Sequence, residues 1–337
     1  MGNGSELGKS NGEQLSKREL TKKVNSLVWE YPRRSIMDNL YEMVRKGEGR
    51  TIIGSVPGRP EDSQLVIDAV GEHVLANIAK EISLPAFIFG EHNNYPLSEV
   101  SESPQVYIAI DSFDNTSQYR RGLDTSVYTV LGVYDLDGKP IAGVVGDIKD
   151  RKAYVNVGNA SNNNWMLDLD TGELKDLHPS KRVSVKDENF TLATYLGSNE
   201  YSIDFYEKFQ GLIKDMSPRG VLYPGGGSYI YGLLASGAVD AYVMFNEPHS
   251  EIIPGLPLAL ATGCTVVSVN EDGTFENYSF NKDLYWGDHD LYNTGKVPFF
   301  IAAATPEIRD EIIGYYITSQ KQNELGTSDV SGSGLLK

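Results

Sequence analysis

Gln105-Val106-Tyr107-Ile108-Ala109-Ile110-Asp111-Ser112-Phe113-Asp114-Asn115-Thr116 is the stretch on which the fold turns. Its first six residues form an apolar run rich in β-branched and aromatic side chains, which predicts a buried strand. The run ends abruptly in two acids that flank Ser112-Phe113. A strand that delivers carboxylates where the chain turns places charge at the edge of a core. Such charge is costly unless it is solvated, paired or bound to a metal. Taken alone, Asp111 and Asp114 read as turn residues more readily than as ligands.

The flanks extend the pattern. Upstream, AFIFG (86–90) is a second short apolar strand and stops at Glu91. Before it, residues 61–82 carry Val66, Val70, Val74, Leu75 and Ile78 three and four apart, which predicts an amphipathic helix bearing Asp68. Downstream, 126–135 and 141–148 predict a hairpin turning at Asp137-Gly138. Past the Asn-rich stretch 162–164 the pattern alternates: TLATYLG as strand, IDFYEKFQGLIKD and SYIYGLLASG as helices, AVDAYVMF as strand. IIPGLPLALATG then reads as a helix opened by Glu251. That alternation predicts α/β layers behind a mainly antiparallel first sheet, an α/β (α+β) chain. Four units are expected: a polar tail 1–20, an α+β subdomain 21–188 carrying most of the acids, an α/β subdomain 189–320 carrying Glu251, and a tail 321–337.

Composition narrows the function. The 337 residues include 46 acidic and 30 basic ones, a net charge of −16, with no basic stripe, so binding to a nucleic acid polymer is not expected. No apolar run is long enough for a membrane span, and the lone Cys264 allows no internal disulfide and fits a reducing cytoplasm. An acidic protein still binds phosphate when a divalent cation sits between the two. Asp68, Glu91, Asp111, Asp114 and Glu251 form an oxygen-only donor set, which suits a hard ion such as magnesium.

Read together, these segments resemble the inositol monophosphatase superfamily, which also holds fructose bisphosphatases and 3′-phosphoadenosine nucleotide phosphatases. Gly90-Glu91-His92 matches its G-E-E motif, and Asp111 to Thr116 its D-P-[IL]-D-G-T. Ser250 to Gly255 stands where it has W-D and a small-residue helix start. The flanks GKPIAGVVGDIKDRKAYV and GGGSYIYGLLASGAVDAYVMF are similar too, and the resemblance runs from about Leu65 to Ile312. It departs at His92, Ser112, Asn115, Ser250 and Glu251. Met244 stands where inositol-preferring members carry a glutamate that contacts the ring. Asn115 tolerates the positive φ of the glycine it replaces, and Glu251 keeps the charge of an aspartate.

The resemblance implies a layered αβαβα sandwich and a homodimer. It implies a phosphomonoesterase acting on a small phosphorylated metabolite of the inositol monophosphate or fructose-1,6-bisphosphate type. Glu91, Asp111, Asp114, Glu251 and the Phe113 carbonyl would hold two or three magnesium ions. Thr116, held by Asp68, would orient the attacking water beside Glu91. The N–H groups of Asn115 and Thr116 would take phosphate oxygens, and Gly226, Gly227, Ser228, Asn246 and Glu247 would line the substrate side. A 3′-phosphoadenosine-type nucleotide phosphatase, with Lys214 and Arg219 as its basic candidates, and a non-catalytic phosphate-binding relative are the alternatives. Cys264, Tyr229 and Tyr231 read as packing, and His249 as a surface turn residue.

Overall fold

In the computed structural model, residues 14–56, 59–91, 94–96, 104–123, 125–158, 163–270, 272–281 and 289–328 are described. The first helix, α1 (Lys17–Pro32), starts at a reciprocal cap in which Ser16 and Glu19 satisfy each other's backbone N–H groups. Residues 17–20, expected as tail, are therefore its first turn. The chain continues through a π-helical segment, Arg33–Leu40, into α2 (Tyr41–Lys46), and stops at Gly47 with φ +70°. At the other end, 321–328 extend the helix Pro306–Ser328 instead of joining a tail. The outer parts of both expected tails, 1–13 and 329–337, and His92 lie outside the described residues.

Two strands, β1 (Ile52–Val56) and β2 (Arg59–Leu65), then form a separate antiparallel hairpin. The helix expected over 61–82 consequently begins later, as α3 (Val66–Glu81). Residues 61–65 are taken by hairpin pairing, and the Asp68 carboxylate caps the helix by accepting from the Leu65 N–H.

The first sheet holds β3 (Ala86–Gly90), β4 (Asn94–Pro96), β5 (Val106–Asp114), β6 (Tyr128–Tyr134), β7 (Pro140–Asp147), β8 (Lys152–Val157), β9 (Asn164–Asp168) and β10 (Leu174–Asp176). Their order is β10-β9-β8-β7-β6-β5-β3-β4. Only β3 and β5 run parallel; the rest is an antiparallel meander, as its alternating turns require. The β6–β7 turn closes at Gly138 (φ +79°), with the Asp135 carboxylate accepting from the Asp137 and Lys139 N–H groups.

The second sheet joins β11 (Thr191–Ala193), β12 (Val221–Tyr223), β13 (Ala241–Pro248), β14 (Thr265–Val269), β15 (Phe275–Asn277) and β16 (Lys296–Ala303) in the order β12-β11-β13-β16-β14-β15. Helices α1 and α3 cover the outer face of the first sheet. Two short helices, Ile230–Ala235 and Leu256–Thr262, lie between the sheets, and Asn199–Asp215 with Pro306–Ser328 cover the far face. The layers are α, β, α, β, α, the expected sandwich. One buried cluster joins Phe89, Tyr107 and Tyr134 of the first sheet to Leu256 and Leu258, and on to Tyr242 and Phe300 of the second, so the sheets share a core.

The helix expected across IIPGLPLALATG is broken. Residues His249–Ile252 make a single turn, and a second helix starts at Leu256. Pro254 donates no hydrogen bond, and Gly255 lies against the Tyr231 ring so closely that a Cβ would meet it at 2.1 Å. Glu251, in the single turn before the break, stands near the two acids at the end of β5.

Candidate metal centre and substrate cleft

Each acid reaches the cleft for a local reason. Strand β5 is buried along its whole length, so Asp111 and Asp114 arrive at its end with little solvent around them. The Phe113 N–H donates to Asp111 (3.2 Å), and Asn115 follows in the left-handed region at φ +72°, capping the helix Thr116–Arg120. Phe113 is itself buried against Tyr119, which leaves its carbonyl at the rim, where it accepts from the Thr116 hydroxyl at 2.6 Å. Asp68, 3.2 Å from that hydroxyl, is the second acceptor within reach of its one proton. Ser112 donates to the Asp68 carbonyl (2.9 Å), and Gly71 lets α3 approach β5 so closely that a Cβ would stand 2.9 Å from Ser112. Helix and strand are locked, and the Thr116–Asp68 pair with them.

Oxygens of Asp111, Asp114 and Glu251 lie within 4.8 Å of one another. Glu91 faces the same cleft, and its charge acts on Asp111, Asp114 and Glu251. Burial is the largest cause of raised carboxyl pKa values here, followed by mutual repulsion. Asp111 and Asp114 are pushed well above the usual carboxylate range, and burial does the same to Asp68. Glu251 is pushed up to about 7 by burial and by Glu91, with Arg59 opposing. A buried cluster of oxygen donors that repel one another is stabilised by a hard cation. The donor chemistry therefore fits magnesium.

The loop before Ile230 completes the cleft. Gly227 adopts φ +117°, and a Cβ there would stand 2.9 Å from both Asp114 oxygens. Its N–H donates to the Tyr242 hydroxyl (3.0 Å), which donates onward to Glu247 (2.6 Å). The Tyr229 N–H donates to Asp114 at 2.9 Å. Glu247 is pushed up to about 8, chiefly by burial and then by Glu251. Gly226, Gly227 and Glu247 line the cleft. Ser228 does not: it is fully buried, and its hydroxyl donates to the Glu251 carbonyl at 3.0 Å, tying the loop to the backbone of that acid. Asn246, with φ +53°, supplies the bend in β13 and is not part of the cleft wall.

Other expectations change too. His249 is half-buried against Tyr278 rather than on the surface, and burial lowers its pKa to about 4. Arg219 pairs with Glu188 on the exterior, and neither it nor Lys214 lines the cleft. Packing accounts for Tyr229, stacked on Tyr128 at 4.3 Å, for Tyr231, edge-on to Tyr242, and for buried Cys264.

Several lining residues escaped the sequence reading. Arg59 sits in the cleft, 2.7 Å from Glu91 and 3.7 Å from Glu251. Arg120, which donates to Ser63 at 2.7 Å, lines it as well, as do Tyr195 and Tyr201; Met244, already singled out in the sequence, lies beside Tyr195. The sequence Pro57-Gly58-Arg59-Pro60 was the available turn signal for the hairpin, but nothing local tells which way Arg59 points.

The sequence profile of the inositol monophosphatase family matches residues 35–302. No curated protein matches the chain by sequence. Among solved structures, the IMPase of Thermotoga maritima superposes with a TM-score of 0.61 at 16% identity, covering 89% of this chain and 98% of its own. The extragenic suppressor protein suhB of Bartonella henselae gives 0.59 at 14%, covering 88% and 98%. SaIMPase-II bound to inositol monophosphate gives 0.59 at 15%, covering 93% and 100%. Among the described residues, no helix is long and apolar enough to cross a membrane.

Proposed function

Because the chain belongs to the inositol monophosphatase family and is a phosphoric monoester hydrolase, we propose that it hydrolyses a small polyol or sugar phosphate with magnesium held by Glu91, Asp111, Asp114, Glu251 and the Phe113 carbonyl. The observation that carries this reading is one cleft in which those acids meet beside the Thr116–Asp68 pair. Bound there, magnesium would polarise the phosphoryl group and lower the pKa of a water.

The chain's own residues supply the rest. Thr116 can hold a water through its hydroxyl, and Asp68, whose pKa burial has raised, is placed to take the proton passed along that hydrogen bond. The N–H groups at the start of the helix Thr116–Arg120 favour an anion over a neutral group. Tyr195, Tyr201 and Met244 offer the organic part of the substrate a mostly apolar wall. Met244 cannot accept a hydrogen bond from a ring hydroxyl as a glutamate would, and its sulfur already meets the Tyr195 N–H at 3.2 Å. Inositol monophosphate remains the first substrate to try, since a structural relative binds it, with sugar bisphosphates beside it. A 3′-phosphoadenosine substrate loses the basic residues first considered for it, because Arg219 and Lys214 stand away from the cleft.

The test is phosphate release from a panel of polyol, sugar and nucleotide phosphates with and without magnesium. The wild-type chain should turn over a polyol or sugar phosphate only with the metal present. Asp111→Asn and Glu91→Gln should each lower kcat/KM at least about a thousandfold. Unchanged turnover by either variant, or full turnover in EDTA, would refute the ligand assignment.

A further inference from the structure

Arg59 is placed as no surface arginine is. It begins β2 at the tip of the hairpin, yet its side chain is only 10% exposed. One terminal nitrogen is 2.7 Å from Glu91 and 3.3 Å from the Ser250 hydroxyl; the other is 3.2 Å from Asp62 and 3.7 Å from Glu251. The guanidinium thus bridges two of the acids assigned above to magnesium. Its Nε–H finds no acceptor among the described residues although it is buried. An imperfectly matched buried donor marks a contact that can be given up.

The hairpin itself is open and irregular. Four of the five β1 residues are exposed, and the β1–β2 register slips at two places. Beyond Arg59, a hydrogen bond from Arg120 to Ser63 joins β2 to the helix Thr116–Arg120.

We propose that Arg59 is a built-in counter-cation that competes with a divalent ion for the Glu91–Glu251 edge of the cluster, so that filling this edge releases Arg59 and loosens the hairpin. The inference rests on the reading of these acids as metal ligands. A fixed positive charge at these distances neutralises the acids before metal arrives, and repels a dication that would share their oxygens. The cluster therefore takes its ions unequally: the Asp111–Asp114 side is open to the first, while the Glu91–Glu251 side opens only as Arg59 leaves.

The experiment uses the full chain and manganese alone as the probe, titrated by electron paramagnetic resonance. Arg59→Gln should bind one manganese ion at least about tenfold more tightly than wild type, the scale expected when a unit charge is removed a few ångströms from a dication. Arg59→Lys, which keeps the charge, should stay near wild type. In EDTA, Arg59→Gln should melt lower than wild type and recover more on adding manganese. Equal or weaker manganese binding by a folded Arg59→Gln overturns the proposal and leaves the metal-ligand reading standing. If wild type itself binds no manganese, both fall. Hydrogen exchange on wild type needs no variant: manganese should speed exchange of the β2 amides severalfold, and unchanged or slower exchange overturns the proposal.

Discussion

Thr116 separates two jobs that are easily confused, holding the metal and guiding the water. Its hydroxyl touches Asp68 and the Phe113 carbonyl, and its side chain carries no charge to give a cation. Thr116→Ala should therefore lower kcat by about a hundredfold to ten-thousandfold while leaving manganese affinity within a few fold. Equal losses in both would make Thr116 a structural part of the metal centre. Glu91, Asp111 and Asp114 were legible in the sequence because they stand where apolar runs end, a place where a charge calls for a reason. Arg59 was not, because a turn arginine is ordinary until a neighbouring strand turns it inward. Ser228 failed for the opposite reason: a serine in a glycine-rich loop looks available, yet its hydroxyl is used up on the Glu251 carbonyl.

At the level of elements, the glycine loop before Ile230 sets the floor of the cleft through backbone shape alone. Gly227 needs a φ of +117° and has no room for a Cβ beside Asp114. Gly227→Ala should cost about 1–3 kcal/mol in thermal or denaturant unfolding and should weaken manganese binding by displacing Asp114. A variant with wild-type affinity would show that the loop does not position that acid. Hydrophobic periodicity found β5, the β6–β7 hairpin and the helix Asn199–Asp215, since their apolar spacing matches their burial. It missed α1, which opens at a capping box inside a polar stretch and packs on β7 and β8, and overextended α3, because pairing with β1 takes five helix-like residues. It also joined α-helical residues across Pro254, where packing on Tyr231 breaks the helix.

On the scale of the whole molecule, two sheets sharing one core trap acids whose protons are hard to remove, and stability follows pH accordingly. Glu247 is pushed up to about 8 from an ordinary 4.5. Between those values the native chain keeps a proton that the unfolded chain has released, so metal-free stability falls as pH rises through that window. The contribution amounts to a few kcal/mol at most. Glu247→Gln should flatten the fall in melting temperature between pH 5 and pH 8; an unchanged slope would assign it elsewhere. Convergence is the claim beneath all of this: acids from the end of β3, from β5 and from the turn after β13 meet in order to hold cations. Anomalous diffraction from crystals soaked in manganese tests it most directly. The account predicts peaks within about 2.5 Å of oxygens from Asp111, Asp114 and Glu251. Peaks confined to other acids, with this cleft empty at saturating manganese, would contradict it.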